Sequence, residues 1–253
     1  MTKLPLIFVS NDDGVNAKGI NTLVSMLQGL GEILVVAPNG PRSGASCSIN
    51  VTASATCKLI TQKPGLAIYG FTGTPVDCVK FGLQELTDRV PDLVVGGINH
   101  GDNSSINVHY SGTMGIAKEG CMKGIPSIGF SLDDYSADAN FEPMRDYVRK
   151  IVSVVLEKGL PRNTCLNVNF PKGESYKGIK ICRQMNAQWT KEWVKMEHPR
   201  GGQVYWLTGE MTDRELEEGT DGWALANGYV AITPTTVDAT SYSLLDEMKN
   251  WNL

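Results

Sequence analysis

The residues of this 253-residue chain best suited to chemistry are two adjacent carboxylates, Asp12 and Asp13, in the stretch Ser10-Asn11-Asp12-Asp13-Gly14. In a partly dry cleft such a pair repels, and one member is driven towards its neutral form unless a cation compensates. A divalent ion is the simplest compensation. Similar oxygen donors recur in two later stretches, Arg42-Ser43 with Ser46, and Asn99 with Asp102, Asn103, Ser104 and Ser111. Carboxylate, hydroxyl and amide oxygens without sulfur or imidazole suit magnesium or manganese, admit calcium and disfavour zinc. Taken alone, Asp12-Asp13 fits a solvated, helix-capping turn equally well, and Ser43 or Asn99 alone reads as a turn residue. Convergence of the three stretches favours a metal site, and convergence depends on the fold.

The elements that must position these residues follow from hydrophobic pattern. Leu6-Ile7-Phe8-Val9 is a short apolar run ending in the acidic turn, as expected for a strand covered on both faces. Ile20, Leu23, Val24, Leu27 and Leu30 recur at helical spacing and predict a helix over about 17–29, stopped by Gly31. Ile33 to Ala37 is a second buried strand. Strand, helix and strand within about 35 residues imply a parallel pair with a right-handed crossover. Residues 47–71 read as short strands, and a helix follows with Thr74 as cap and Pro75 in its first turn. Asp92 to Ile98 repeats the buried strand and runs into the polar loop Asn99 to Ser111. A helix begins just beyond Ser111-Gly112-Thr113. Further strands are expected at Ile125 to Phe130, Leu166 to Phe170 and Tyr229 to Ile232, the last ending at Thr233-Pro234, with a helix through Tyr147 to Val155. The fold class is a doubly wound, mostly parallel α/β sheet, in which ligands collect outside the carboxyl ends of the strands.

The expected organisation is a single α/β unit with a core of about residues 1–170 plus 225–235, a protruding arm of about 175–222 and a short helix of about 241–250. Ile179 to Ile181 and Val204 to Leu207 read as strands of a hairpin or arm. Trp189, Trp193 and Trp206 there fit either a small satellite core or an oligomer interface, where aromatics are enriched.

A formal charge of -4 provides no basic footprint for nucleic acid or an anionic membrane. No apolar run approaches the roughly 18–20 residues of a membrane span, and Met1-Thr2-Lys3-Leu4-Pro5 has no secretory character, so a cytoplasmic protein is expected. Six scattered cysteines without a CxxC pair read as free buried thiols. His100 and His109 are assigned no role.

Four ordered blocks carry a resemblance. They are Ser10-Asn11-Asp12-Asp13-Gly14 with Gly19-Ile20; Val36-Ala37-Pro38 with Arg42-Ser43-Gly44-Ala45-Ser46; Gly73-Thr74-Pro75 with Asp77-Cys78-Val79; and Asp92 through Gly97-Ile98-Asn99, Gly101, Asn103 and Tyr110-Ser111-Gly112-Thr113 to Glu119-Gly120. Together with Thr220-Asp221, Gly228-Tyr229 and Ile232-Thr233-Pro234, they resemble the SurE family, the stationary-phase survival protein nucleotidases. The resemblance implies a Rossmann-like core and the metal ligands Asp12, Asp13, Ser43 and Asn99. It also implies hydrolysis of nucleoside 5'- and 3'-monophosphates, in some members short polyphosphate as well, and homodimers or homotetramers built through C-terminal arms. Lys18 stands where the family usually has proline, and Asn39-Gly40-Pro41 replaces a more polar, usually Asp-led stretch.

The reaction expected is phosphate monoester hydrolysis, in which one divalent ion polarises the phosphoryl oxygen and orients a water for in-line attack. Asn11, Asn103, Ser111, Gly112 and Thr113 are the candidate phosphate or substrate contacts. The helix following Ser111 adds its amides and dipole. A separate nucleophile is not assigned. A haloacid-dehalogenase-like phosphatase would need a DxD spacing that Asn11-Asp12-Asp13 lacks. A receiver-like signalling domain would be about half this length, and a dinucleotide-binding module would need GxGxxG after the first strand.

Overall fold

Leu6–Ser10 forms strand β1 with every residue buried. Successive side chains point to opposite faces of the sheet, so Ile7 and Val9 enter one core while Leu6 and Phe8 enter another. The computed structural model describes residues 4–252. After β1 come helix α1 (Lys18–Leu27), β2 (Glu32–Pro38), β3 (Cys57–Lys63), β4 (Leu66–Phe71), α2 (Pro75–Glu85) and β5 (Leu93–His100). A 3-10 turn, Ser105–His109, leads to α3 (Gly112–Met122), β6 (Ser127–Leu132), α4 (Arg145–Lys158) and β7 (Thr164–Phe170). Then follow β8 (Ile179–Ile181), β9 (Gln188–Thr190), β10 (Trp193–Glu197), β11 (Gln203–Leu207), β12 (Glu210–Thr212), α5 (Asp221–Ala226), β13 (Val230–Thr236) and α6 (Tyr242–Met248).

Nine strands form one sheet in the order β3-β4-β2-β1-β5-β6-β7-β13-β8. From β4 to β7 all neighbours are parallel, whereas β3 and β13 run antiparallel to β4 and β7. The doubly wound expectation is therefore met, with antiparallel additions at both edges. One face is covered by α1 and α4, whose Leu23, Leu27, Val148 and Val152 pack on Ile7, Val35 and Val95. The opposite face carries α2 and α3, with Val79 and Ile116 against Phe8, Val36 and Val94. Each fully buried aliphatic side chain contributes about 1.5–3 kcal/mol as an upper bound. α2 starts where Thr74-Pro75 predicts, with a reciprocal capping box between Thr74 and Asp77 worth about 1 kcal/mol.

Several local expectations are corrected. α1 ends at Leu27 rather than at Gly31, and Gly29 takes the left-handed turn at φ +83°. Gly31 instead lets the Pro5 carbonyl approach, which a Cβ there would meet at 2.4 Å. Gly112 and Thr113 lie inside α3, and only Ser111 caps it. Ile179–Ile181 pairs in parallel with β13 at the sheet edge, so it does not join Val204 to Leu207 in a hairpin. The hairpin partner is β10, while β9 pairs with β12. β13 runs past Pro234 because β8 pairs only with Val230 to Ile232, and beyond them an absent N–H leaves no ladder bond unmade. Among the described residues no satellite core forms around Trp193 and Trp206, each 64% exposed. Cys78, Cys121, Cys165 and Cys182 are buried free thiols, but Cys47 is exposed. Among the described residues no helix is long and apolar enough to cross a membrane.

Gly19 in α1 lies so close to β5 that an added Cβ would sit 2.0 Å from the Ile98 carbonyl oxygen. Overpacking against backbone costs about 1–3 kcal/mol. Gly19→Ala is expected to lower stability by about 3 kcal/mol, the upper end of that range, and Tm by about 6–12 °C. Urea unfolding should show a lower midpoint with an unchanged slope. An unchanged midpoint would show that α1 can move away from β5.

Candidate active site

β1 lies between β2 and β5, where successive connections leave in opposite directions. This switch point opens a crevice at the carboxyl ends of the strands. Asp12, two residues past β1, is only 3% exposed. Thr113 Oγ1 donates to its Oδ1 at 2.7 Å, and the Gly112 backbone at the start of α3 lies against the same side chain. The approach is close: a Cβ on Gly112 would lie 2.7 Å from the Asp12 Cβ. The positive end of the α3 dipole therefore faces this carboxylate. Burial nevertheless pushes its pKa up to about 6, and the neighbouring charge of Asp13 pushes the same way.

Asp13 is half-buried, and burial raises its pKa as well. Its Oδ2 is buried and finds no hydrogen-bond partner among the described residues. Asn99, near the end of β5, donates its amide to the carbonyls of Gly101 at 2.8 Å and His100 at 3.2 Å. That geometry leaves its own carbonyl oxygen available. The Ser43 loop is fastened beside them by the Arg42 N–H, which donates to the Asp12 carbonyl at 2.6 Å, and by Ser46 N–H to the Tyr110 carbonyl at 3.1 Å. Asp12, Ser43, Asn99, Asn103 and Ser111 line one cavity of about 550 Å³. Trp189, Glu192 and Leu207 to Gly209 close its far side from the arm, a contribution that no local pattern announces.

Three expected substrate contacts are engaged within the protein. Asn11 is fully buried and its amide is used within the turn, donating to the Gly14 carbonyl at 3.0 Å and accepting from the Gly14 N–H at 3.1 Å. Thr113 and Gly112 hold Asp12 rather than line the cavity. Asn103 does line it, braced by buried polar partners. Its N–H donates to Asn169 Oδ1 and its Nδ2 to Ser131 Oγ, both at 2.7 Å, while its carbonyl accepts from Asn167 Nδ2 at 2.7 Å. Ser111 Oγ accepts from the Met114 N–H at 3.0 Å as the α3 cap. His100 lines the cavity and packs edge-on against Phe141, whereas His109 is exposed and serves through its backbone carbonyl, which accepts from Ser46 Oγ at 2.5 Å.

The family model described as Survival protein SurE matches residues 7–191. The chain belongs to the SurE family. It is 56% identical over 250 residues to a protein named 5'-nucleotidase SurE from Phocaeicola vulgatus, covering 98% of this chain and 97% of that one. It is 57% identical over 251 residues to the protein of the same name from Bacteroides thetaiotaomicron, covering 99% and 97%. Among solved structures, the SurE protein from Aquifex aeolicus superposes with a TM-score of 0.83 at 38% identity, covering 97% of this chain and 98% of that one. Lys18 of this SurE-family chain has a local use: its ammonium donates to the carbonyls of Ala139 at 2.7 Å and Asp138 at 3.1 Å, tying the start of α1 to a neighbouring loop.

The donors fit a hard divalent cation. A buried carboxylate oxygen lacks a donor among the described residues, its neighbour is driven towards the neutral form, and the remaining oxygens are a hydroxyl and an amide carbonyl. Among the described residues no group of three or more His, Cys, Asp and Glu is placed for a metal. A cation here would rest on two carboxylates and neutral oxygens.

With a chelator present, the raised Asp12 pKa has a definite sign. Between 3.8 and about 6 the folded chain holds a proton that the unfolded chain has released, so this group's contribution to stability falls as pH rises through that window. The loss is on the order of 3 kcal/mol at pH 7. Carboxylates held low, such as Asp134 beside Ser136 and Lys172, act in the opposite sense, so comparison with a variant isolates the effect. Chelated Asp12→Asn is expected to be more stable than wild type near neutral pH, with the gap closing towards pH 4 in thermal melts. A gap that does not change with pH would contradict this assignment.

Proposed function

We propose that this chain is a phosphatase that hydrolyses nucleoside 5'-monophosphates to nucleoside and inorganic phosphate with one bound divalent ion, and that it accepts 3'-monophosphates as well. The observation that carries this reading is the adjacent carboxylates: Asp12 lines a cavity of about 550 Å³, a size within the usual range for small-molecule sites, and Asp13 beside it carries a buried oxygen that accepts no hydrogen bond from the described residues. The relatives named 5'-nucleotidase SurE supply the substrate class. Asp12, Asp13, Ser43 and Asn99 would hold the ion, magnesium or manganese, with calcium admissible. When bound, it supplies charge stabilisation at the phosphoryl oxygens and orients and acidifies the attacking water.

The chain's own residues prepare that chemistry. Thr113 holds Asp12 in one orientation, as outer partners do for a metal-ligating carboxylate. Asn103 and Ser111 face the cavity where the phosphoryl group would sit, and the start of α3 favours its negative charge. Water provides the new oxygen, the phosphorus–ester oxygen bond breaks, and no side chain forms a covalent intermediate. The walls formed by Tyr110 and Trp189 receive the nucleoside. The same reading takes the protein as a cytoplasmic homodimer or homotetramer joined through arms of about residues 175–222, around a core of about 1–170 plus 225–235 with a terminal helix of about 241–250.

A phosphate-release screen across nucleoside monophosphates, with magnesium, manganese and a chelator control, tests the reading. Hydrolysis should require the added ion, and Asp12→Ala and Asn99→Ala, folded by circular dichroism, should lose at least about 100-fold in kcat/KM. Full activity in either variant would remove the site assignment. Metal-independent hydrolysis, or none of any nucleotide, would remove the function.

A further inference from the structure

The arm and the turn after β5 meet twice. At the cavity, Trp189 Nε1 donates to Asn107 Oδ1 at 3.0 Å. Behind that contact lies Asp221, the first residue of α5, which is fully buried. Its Oδ2 accepts from the Ser105 N–H at 2.9 Å, and its Oδ1 from the Met185 N–H at 2.9 Å and the Gly222 N–H at 2.8 Å. Ser105 Oγ donates to the Met185 carbonyl at 2.9 Å, and the Asp221 N–H donates to the Arg183 carbonyl at 3.0 Å. One carboxylate thus ties three separate segments: the turn after β5, the strand-to-arm connection and α5.

Three features mark this contact as more than ordinary packing. A fully buried carboxylate is costly unless its oxygens are satisfied, and here, among the described residues, three backbone N–H groups do so within hydrogen-bond distance. Ser105 is held at φ +54°, a region that non-glycine residues occupy at a cost and keep only when their surroundings fix it. Lastly, both tethered segments continue directly into the cavity wall: two residues beyond Ser105 is Asn107, with Tyr110 next along, and four residues beyond Met185 is Trp189. The phosphate end is fastened by other bonds, from Thr113 and Arg42 to Asp12, from Asn103 to Asn169 and from Asn167 to Asn103.

We propose that Asp221 is a positioning residue for the nucleoside end of the site, joining arm to turn so that Trp189, Asn107 and Tyr110 form one wall. This rests on the nucleotidase reading, and it separates nucleoside recognition from phosphate chemistry. Loss of Asp221 weakens the grip on a nucleotide more than the reaction of a phosphate ester that has no nucleoside.

Asp221→Asn sets an amide donor against at least one of the backbone N–H groups. The selectivity of the enzyme, kcat/KM for adenosine 5'-monophosphate relative to phenyl phosphate, is expected to fall about tenfold, as befits one buried hydrogen bond to a charged group. The change should lie mainly in the nucleotide's KM. Amide hydrogen exchange should rise together in residues 103–111 and 183–190, with the remainder protected as in wild type. Ser105→Ala, which deletes only the hydroxyl bond to Met185, should move both readouts in the same direction by less, and it keeps the test open if Asp221→Asn does not fold. Equal losses on both substrates with selectivity unmoved, or exchange rising throughout the chain, would overturn the proposal and leave Asp221 a fold-stabilising residue. If the wild-type protein hydrolysed neither substrate, the nucleotidase reading would fall. The exchange pattern would still decide whether Asp221 holds the two segments together.

Discussion

Two carboxylates crowded at the end of a buried strand repel one another and lose hydration together, and much of the surrounding structure answers that demand. α3 brings its first residue and the Thr113 hydroxyl against Asp12, and glycine at position 112 is what permits the distance. These contacts hold the carboxylate in place without cancelling the cost of its burial, since its pKa still stands at about 6. Asp13 retains an oxygen with no hydrogen-bond partner among the described residues. A protein interior normally satisfies such atoms, so the remaining deficit is the strongest physical pointer to a ligand that the fold itself does not provide.

The sheet makes that demand local. Because β1 sits at the point where the winding reverses, the loops after β1, β2 and β5 open on the same crevice. Two hydrophobic cores, one on each face, fix these strands rigidly, and the polar loops are then fastened to one another by backbone bonds such as Arg42 to Asp12 and Ser46 to Tyr110. The donors are thus held by a rigid scaffold rather than by their own sequence neighbours.

The arm adds a different kind of constraint. Its β10–β11 ribbon exposes Trp193 and Trp206, but its base turns inward, where Trp189 reaches Asn107 and Asp221 binds the backbone on both sides. A segment that the periodicity marks as peripheral therefore forms part of the cavity. Aromatic residues in one short stretch serve different surroundings, a distinction that depends on where the chain turns.

Sequence alone determined the period-two and period-3.6 patterns, and with them the β1-α1-β2 unit, the buried parallel strands, the Thr74-Pro75 helix start and the family to which the blocks belong. Those features depend on neighbours a few residues apart, which a linear reading can see. Its errors have the same origin: Gly31 looked like a helix stop because the approach of Pro5 from elsewhere in the chain was invisible. Ile179 to Ile181 looked like half of a hairpin because its partner lies some fifty residues on. Only the tertiary structure decided that Asn11 braces its own turn, that Thr113 serves Asp12 across 101 positions of sequence, and that Asp221 reaches Ser105 across 116. Hydrogen bonds between buried polar groups depend on angle and on distances of a few tenths of an ångström, and residue order does not encode such geometry until the chain has packed.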